Sequence, residues 1–270
     1  MTTTSAHHVT CTVDDEGIAR VWLDRPDKLN GLTLPMLREL VATGRRLSKD
    51  RSLRAVIITG AGESFSAGLD FASVMRDPRG IAAAFIPSFL RGTNTFQEAA
   101  WVWRRVPVPV VAVVQGHCYG GGVQIALGAD FRFSTPDAQW SVMESKWGLI
   151  PDMSGVRSLA EVVGMDTAKL LTMTGDSVSG TQAKEIGLVT EVAEDPMTAA
   201  EELVEKLLTR SPDSLSAAKR LFNGTWHAGP RRTFARERAE QIALLMNNNT
   251  RIARDAAFKR ELPQFELRKR

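Results

Sequence analysis

Cysteine is nearly missing from this chain: two in 270 residues, Cys11 and Cys118. Neither stands in a CxxC pattern, and two thiols make no disulfide framework in a chain this long. A reducing compartment, the cytoplasm, fits. The four histidines, His7, His8, His117 and His227, show no metal-ligand spacing with cysteines or carboxylates, so no metal is expected. No apolar run approaches the roughly 20 residues that span a bilayer, so no membrane partner is expected. The first eight residues lack the apolar stretch of a signal peptide, and residues 1–10 read as a disordered leader. Neither GxGxxG nor GxxxxGKS/T occurs, which excludes the usual dinucleotide and phosphate loops.

What is present is an ordinary globular composition, 43% hydrophobic and 24% charged, with a net charge of +3. Lys and Arg gather near the end, at Arg231-Arg232, Arg236, Arg238, Lys259-Arg260 and Arg268-Lys269-Arg270. A solvated helical face accounts for this. Attraction to a polyanion such as a nucleotide phosphate is the sharper alternative. No aromatic-interleaved basic motif accompanies the charge, so a nucleic-acid partner is not expected.

Three short apolar runs have the β-branched character of strands buried on both faces: Ile18–Leu23, Ala55–Thr59 and Val108–Val114. Helical patterns over Pro35–Lys49 and Thr93–Arg104 separate them. Strand, helix, strand, helix, strand predicts an α/β fold with parallel strands and right-handed crossovers. Asp130–Ser134 and Gln139–Ser141 are further strand candidates. From Ser211-Pro212 onward the chain turns to amphipathic helices over Ser214–Phe222, Thr233–Met246 and Arg251–Phe258. The expected organisation is a core over 11–210 and a helical segment over 211–270.

Three stretches carry chemistry. In Phe65-Ser66-Ala67-Gly68-Leu69-Asp70, small residues let the backbone approach a ligand, and the Leu69 amide can face an oxygen. A plain strand-to-helix turn capped by Asp70 explains the same residues. In Gly116 to Gln124, the run Gly120-Gly121-Gly122 follows a strand and opens a helix, exposing unpaired amides at the positive helix end. That is where an oxyanion is stabilised; three consecutive glycines exceed the needs of a tight turn. In Trp140 to Asp152, Glu144 sits among apolar residues that raise a carboxylate pKa and suit proton transfer. A surface glutamate paired with Lys146 remains the alternative. Trp140, Met143 and Trp147 line either an acyl pocket or the core. Cys118 reads as a small buried hydrophobe and His117 as a packed histidine.

Together, in this order, the three stretches resemble the crotonase superfamily, the enoyl-CoA hydratase/isomerase group. Arg25 to Leu32, Thr174-Gly175-Asp176, Ala183 to Val189 and Ala257 to Arg260 extend the resemblance over nearly the whole chain. It implies a crotonase-like α/β fold of repeated ββα units, with two sheets and a C-terminal helical trimerisation segment. It also implies an acyl-CoA substrate, no separate cofactor (coenzyme A being part of the substrate), and a homotrimer or dimer of trimers. By position it assigns the amides of Leu69 and Gly121 to the oxyanion hole. Lys28, Asn30, Ser66, Ala67, Gly68, Asp70, Tyr119 and Gly120, with Phe258 and Lys259, fall in CoA- or substrate-binding regions.

The resemblance places two glutamates in the hydratases, at positions 124 and 144. Here they are Gln124 and Glu144, and a glutamine cannot exchange a proton near neutral pH. Asp152 stands where hydratases carry glycine and dienoyl-CoA isomerases an aspartate, though a loop aspartate capping the next helix explains it as well. The reading that follows is double-bond isomerisation of an unsaturated acyl-CoA by Glu144, alone or with Asp152. The alternative is a hydratase with Glu144 as single acid/base and Gln124 holding the water. A non-catalytic CoA- or RNA-binding protein is the distant third.

Overall fold

The computed structural model describes residues 7–269. Its strands are β1 (Val9–Val13), β2 (Ile18–Leu23), β3 (Ala55–Gly60), β4 (Val110–Val114), β5 (His117–Tyr119), β6 (Phe131–Ser134), β7 (Gln139–Ser141), β8 (Ser177–Ser179) and β9 (Glu191–Val192). They form a six-stranded sheet in the order β1-β2-β3-β4-β6-β9 and a three-stranded sheet in the order β5-β7-β8. β1 pairs antiparallel with β2, and every other pairing in the large sheet is parallel. The helices are α1 (Leu34–Leu47), α2 (Phe71–Val74), α3 (Pro78–Phe85), α4 (Thr95–Arg105), α5 (Gly121–Ala126), α6 (Gly155–Val163), α7 (Met165–Thr174), α8 (Gly180–Glu185), α9 (Pro196–Leu208), α10 (Pro212–Thr225), α11 (Pro230–Leu245) and α12 (Asn248–Lys259).

The continuous apolar strands are explained by two cores, one on each face of the large sheet. Val56 and Ile58 of β3, with Val110, Ala112 and Val114 of β4, join α1 and α4 through Leu37, Leu40, Phe96 and Trp103. Their alternate neighbours, Ala55, Ile57, Val111 and Val113, face Ala200 and Val204 of α9. Side chains alternate across a strand, so a sheet covered on both faces needs apolar residues at every position. The parallel α/β core expected from the sequence is therefore present, with the second sheet as the addition that the family resemblance implied.

Boundaries moved where proline or a partner decided them. The strand expected over Val108–Val114 begins at Val110, because Pro107 and Pro109 have no N–H for the ladder. The expected leader over 1–10 is shorter: Val9 and Thr10 already belong to β1, and the amides of His8 and Val9 both donate to the Glu39 carboxylate, at 2.9 and 3.0 Å. Residues 1–6 lie outside the described residues. Ser211 caps α10 by accepting from the Ser214 amide.

The fold brings three loops together at the C-terminal ends of the parallel strands. After β3 the chain makes single bridges from Ser66 to Cys118 and from Leu69 to Leu32. After β5 it enters α5 directly at Gly121. After β7 it winds through a tight 3-10 turn over Met143–Trp147.

Candidate active site

Backbone pairing around Leu69 leaves its amide free. Leu32 N–H donates to the Gly68 carbonyl at 2.8 Å, and Asp70 N–H donates to the Leu32 carbonyl at 2.9 Å. In a bridge of this pattern the intervening Leu69 amide points away from Leu32. The Gly121 amide opens α5, so it has no intrahelical acceptor. Among the described residues neither amide has a hydrogen-bond partner. Both residues line one cavity of about 90 Å³, with Ala67, Gly68, Gly120 and Glu144. Larger clefts exist, such as one of about 540 Å³ between α10 and α11, whose described lining residues offer no pair of free amides beside a carboxylate.

Glycine is required at the turn into this site. Gly120 adopts φ 50 and ψ −116, a conformation closed to residues with a Cβ, and a Cβ there lies 3.4 Å from Glu144 Oε1. Gly68 has φ 86, and its Cβ would meet the Tyr119 carbonyl at 2.8 Å. Phe71 and Trp147 close the cavity from above, their ring centroids 5.2 Å apart.

Glu144 is half-buried. Burial pushes its carboxyl above the ordinary glutamate value, with the charge of Asp152 adding to the rise and the hydrogen bond from Gln124 opposing it. Gln124 Nε2 donates to Glu144 Oε1 at 2.6 Å. Glu144 Oε2 is sealed from solvent and has no partner among the described residues. Gln124 itself is held in one orientation, because its Oε1 accepts the backbone amides of Met153 at 2.7 Å and Gly155 at 2.9 Å. Two donors to one atom identify that atom as the oxygen, so the NH₂ group must face Glu144. Burial also raises the carboxyl of Asp152.

The other residues singled out in the sequence divide into cavity lining and scaffold. Ala67, Gly68 and Gly120 line the cavity, as do Met143 and Trp147. Trp140 is core, its indole N–H donating to Ser134 Oγ at 3.1 Å. Asn30 and Ser66 are fully buried braces rather than ligand contacts. Asn30 accepts from Arg25 N–H at 2.8 Å and donates to the carbonyls of Ala61 and Ser64 at 2.9 and 2.7 Å. Ser66 Oγ donates to the Asn30 carbonyl at 2.8 Å. Asp70 caps α2 through the Ser73 amide and pairs with Arg25 at 3.2 Å. Lys28 ends an exposed 3-10 turn, and Tyr119 stacks on His117 with centroids 4.9 Å apart. Asp152 does not cap α6; Ser154 occupies that position without a side-chain bond. Glu144 makes no ion pair with Lys146 among the described residues. Cys118 is fully buried, and burial pushes its thiol up. Phe258 and Lys259 end α12, which packs on α10 and α11, and neither reaches the cavity of its own chain.

Asn30→Ala is expected to lower unfolding free energy by about 1–3 kcal/mol, since it leaves the buried Ser64 carbonyl and the half-buried Arg25 amide and Ala61 carbonyl without their side-chain partner. Urea titration measures this; a change within about 0.5 kcal/mol would contradict the bracing role.

The family description "Enoyl-CoA hydratase/isomerase" matches residues 14–265. The mitochondrial Delta(3,5)-Delta(2,4)-dienoyl-CoA isomerase of Mus musculus is 33% identical over 210 residues, covering 75% of this chain and 64% of that protein. The short-chain-enoyl-CoA hydratase of Clostridium acetobutylicum is 32% identical over 215 residues, covering 78% of this chain and 80% of that protein. Among solved structures, an enoyl-CoA hydratase from a Polaromonas species superposes with a TM-score of 0.85 at 25% identity, covering 96% of this chain and 99% of that one. The match to the mouse isomerase thus spans somewhat less than two thirds of its length.

Proposed function

From a chain that belongs to the enoyl-CoA hydratase/isomerase family, a family of enzymes with a crotonase-like fold, we propose a double-bond isomerase acting on an unsaturated acyl-CoA. The thioester oxygen lies between the amides of Leu69 and Gly121. As Glu144 takes a proton from the acyl chain, the electron pair of that C–H bond passes to the thioester oxygen as an enolate. The two amides hold that charge in a site where a single donor is worth about 3–4 kcal/mol of barrier. A proton is returned further along the chain, by Glu144 itself or by Asp152, whose carboxyl burial also raises, and the double bond emerges shifted. No water is consumed.

The observation that carries this is the locked amide of Gln124. A hydratase needs an acceptor or base to hold its attacking water, and the carbonyl oxygen of Gln124 is occupied by two backbone donors. Unpaired amides beside a buried carboxylate count against a purely non-catalytic binder, which has no use for Glu144.

The reading includes a homotrimer or a dimer of trimers. α11 runs for 16 residues, buries only Glu240, and leaves Phe234, Ile242 and Leu245 exposed. The two free cysteines suit a reducing compartment, here the cytoplasm. Among the described residues no helix is long and apolar enough to cross a membrane.

The test is product mass after incubation with a panel of enoyl- and dienoyl-CoAs in heavy-oxygen water. Isomerisation leaves the mass unchanged and moves the ultraviolet absorption. Addition of labelled water as the main reaction would sink the proposal.

A further inference from the structure

A second, larger cavity lies at the opposite end of the large sheet from Glu144. It encloses about 480 Å³ beside Pro109, just ahead of β4, and Phe131, which begins β6, and is closed by residues of α9 and α10. Five charged side chains line it: Arg104, Asp130, Arg132, Glu161 and Lys219. Four of them pair. Arg104 lies 2.6 Å from Glu161, and Lys219 lies 2.6 Å from Asp130. The remaining two ammonium hydrogens of Lys219 go to the carbonyls of Trp103 and Val108, at 3.0 and 2.9 Å.

Arg132 is the surplus cation. It is only 6% exposed and has no carboxylate in ion-pair contact among the described residues. Its Nε donates to the Leu188 carbonyl at 2.7 Å and its Nη1 to the Ala129 carbonyl at 3.0 Å. Those two bonds have a structural use: they tie the chain just past α5 to the segment before β9. Nη2 is left over. It has no protein partner among the described residues, yet it is not one of the side-chain atoms sealed from solvent. Burial lowers this guanidinium to about 10, with Arg104 adding to the fall and Asp130 opposing it. A cation buried without a full counter-charge is costly, and an anion at Nη2 relieves that cost. A guanidinium edge also suits a carboxylate oxygen.

Apart from Asn223, whose amide is bonded to Arg104, the rest of the wall is apolar. Phe131, Leu207 and Leu215 form the sides, and Phe222 and Trp226 stand exposed at the mouth. The volume falls within the usual range for small-molecule sites. The geometry points to a binding site for one small amphipathic carboxylate, its head on Arg132 Nη2 and its aliphatic body against Phe131, Leu207, Leu215 and Trp226. One anion is the fitting number, because the lining holds one more cation than anions. This site is separate from the cavity at Glu144 and does not depend on the isomerase proposal.

Calorimetric titration of the full chain with octanoate tests this, with octanol as the uncharged probe. Saturable binding of one octanoate per chain is expected, and octanol is expected to bind at least tenfold more weakly. Arg132→Gln is expected to weaken octanoate at least tenfold. Should that variant fold poorly, Ala218→Trp serves instead, since Ala218 is an exposed position on the wall of this cavity and of the α10–α11 cleft, and the indole is expected to take the space beside Leu215. It is expected to abolish binding while turnover of acyl-CoA is kept. Absence of saturable binding, equal binding of octanol, or octanoate binding that survives Ala218→Trp would each overturn the proposal.

Discussion

Glu144→Gln is expected to reduce turnover of an unsaturated acyl-CoA by about 10²–10⁴-fold, the usual cost of losing a general base. Steady-state kinetics on the purified variant measures this, and near-normal turnover would remove Glu144 from the mechanism. The substitution keeps an oxygen where Gln124 Nε2 donates, so the neighbouring hydrogen bond survives. Stability is expected to move the other way. The folded-state carboxyl is raised, mainly by burial, so the folded protein holds its proton to higher pH than the unfolded chain does. Stability from this group therefore falls as pH climbs from the unfolded value, about 4.5, through the higher folded value. The glutamine variant has no such loss, and its melting temperature relative to the parent is expected to rise across that window. Activity follows the same titration. A base must be ionised, so the acid limb of kcat/KM is expected above the ordinary glutamate value and absent from any residual activity of the variant. If the parent's acid limb sat at or below that value, the raised carboxyl would not be the base.

Gly120→Ala is expected to cost about 10²–10³-fold in turnover, the loss seen when one oxyanion donor is removed. At φ 50 and ψ −116 the backbone is available to glycine alone, so an alanine must rotate the peptide that carries the Gly121 N–H. The new methyl would only touch Glu144 Oε1, at 3.4 Å from the ideal Cβ position, so the backbone conformation carries the effect. Accommodating the strain costs about 1–3 kcal/mol of stability. The effect is expected in kcat more than in KM, because the amide acts on charge that develops during the reaction. A variant that loses only KM would show that the Gly121 amide binds the ground state and does not hold an enolate.

How much of this was legible beforehand depended on the range of the interaction. Strands β2, β3 and β4 were visible because a strand buried on both faces needs apolar residues at nearly every step, and that is a local pattern. β1, with threonines alternating at a sheet edge, carries a weaker pattern; β5 and β8, three residues each, are too short to show one. The glycine run likewise announced itself, since a positive φ followed by a helix start is a demand on the residue itself. Asn30 and Ser66 were placed on the ligand by position, yet their polar atoms are spent on the backbone of the loops that form the site. Phe71, which roofs the cavity, directly follows the Ser66–Asp70 stretch and was within reach of the sequence. The Met153 and Gly155 amides were not.

The sequence by itself determined where a small-residue loop, a glycine run and one apolar-flanked carboxylate, Glu144, lie, because those are local features, while the family resemblance singled out the amides of Leu69 and Gly121. Only the tertiary structure decided what Gln124 does. Its oxygen is claimed by the backbone of a loop remote in sequence, so its NH₂ is turned onto Glu144 and holds that carboxylate in place. Hydrogen-bond direction at an amide is set by its partners, and partners from distant loops are supplied by the fold.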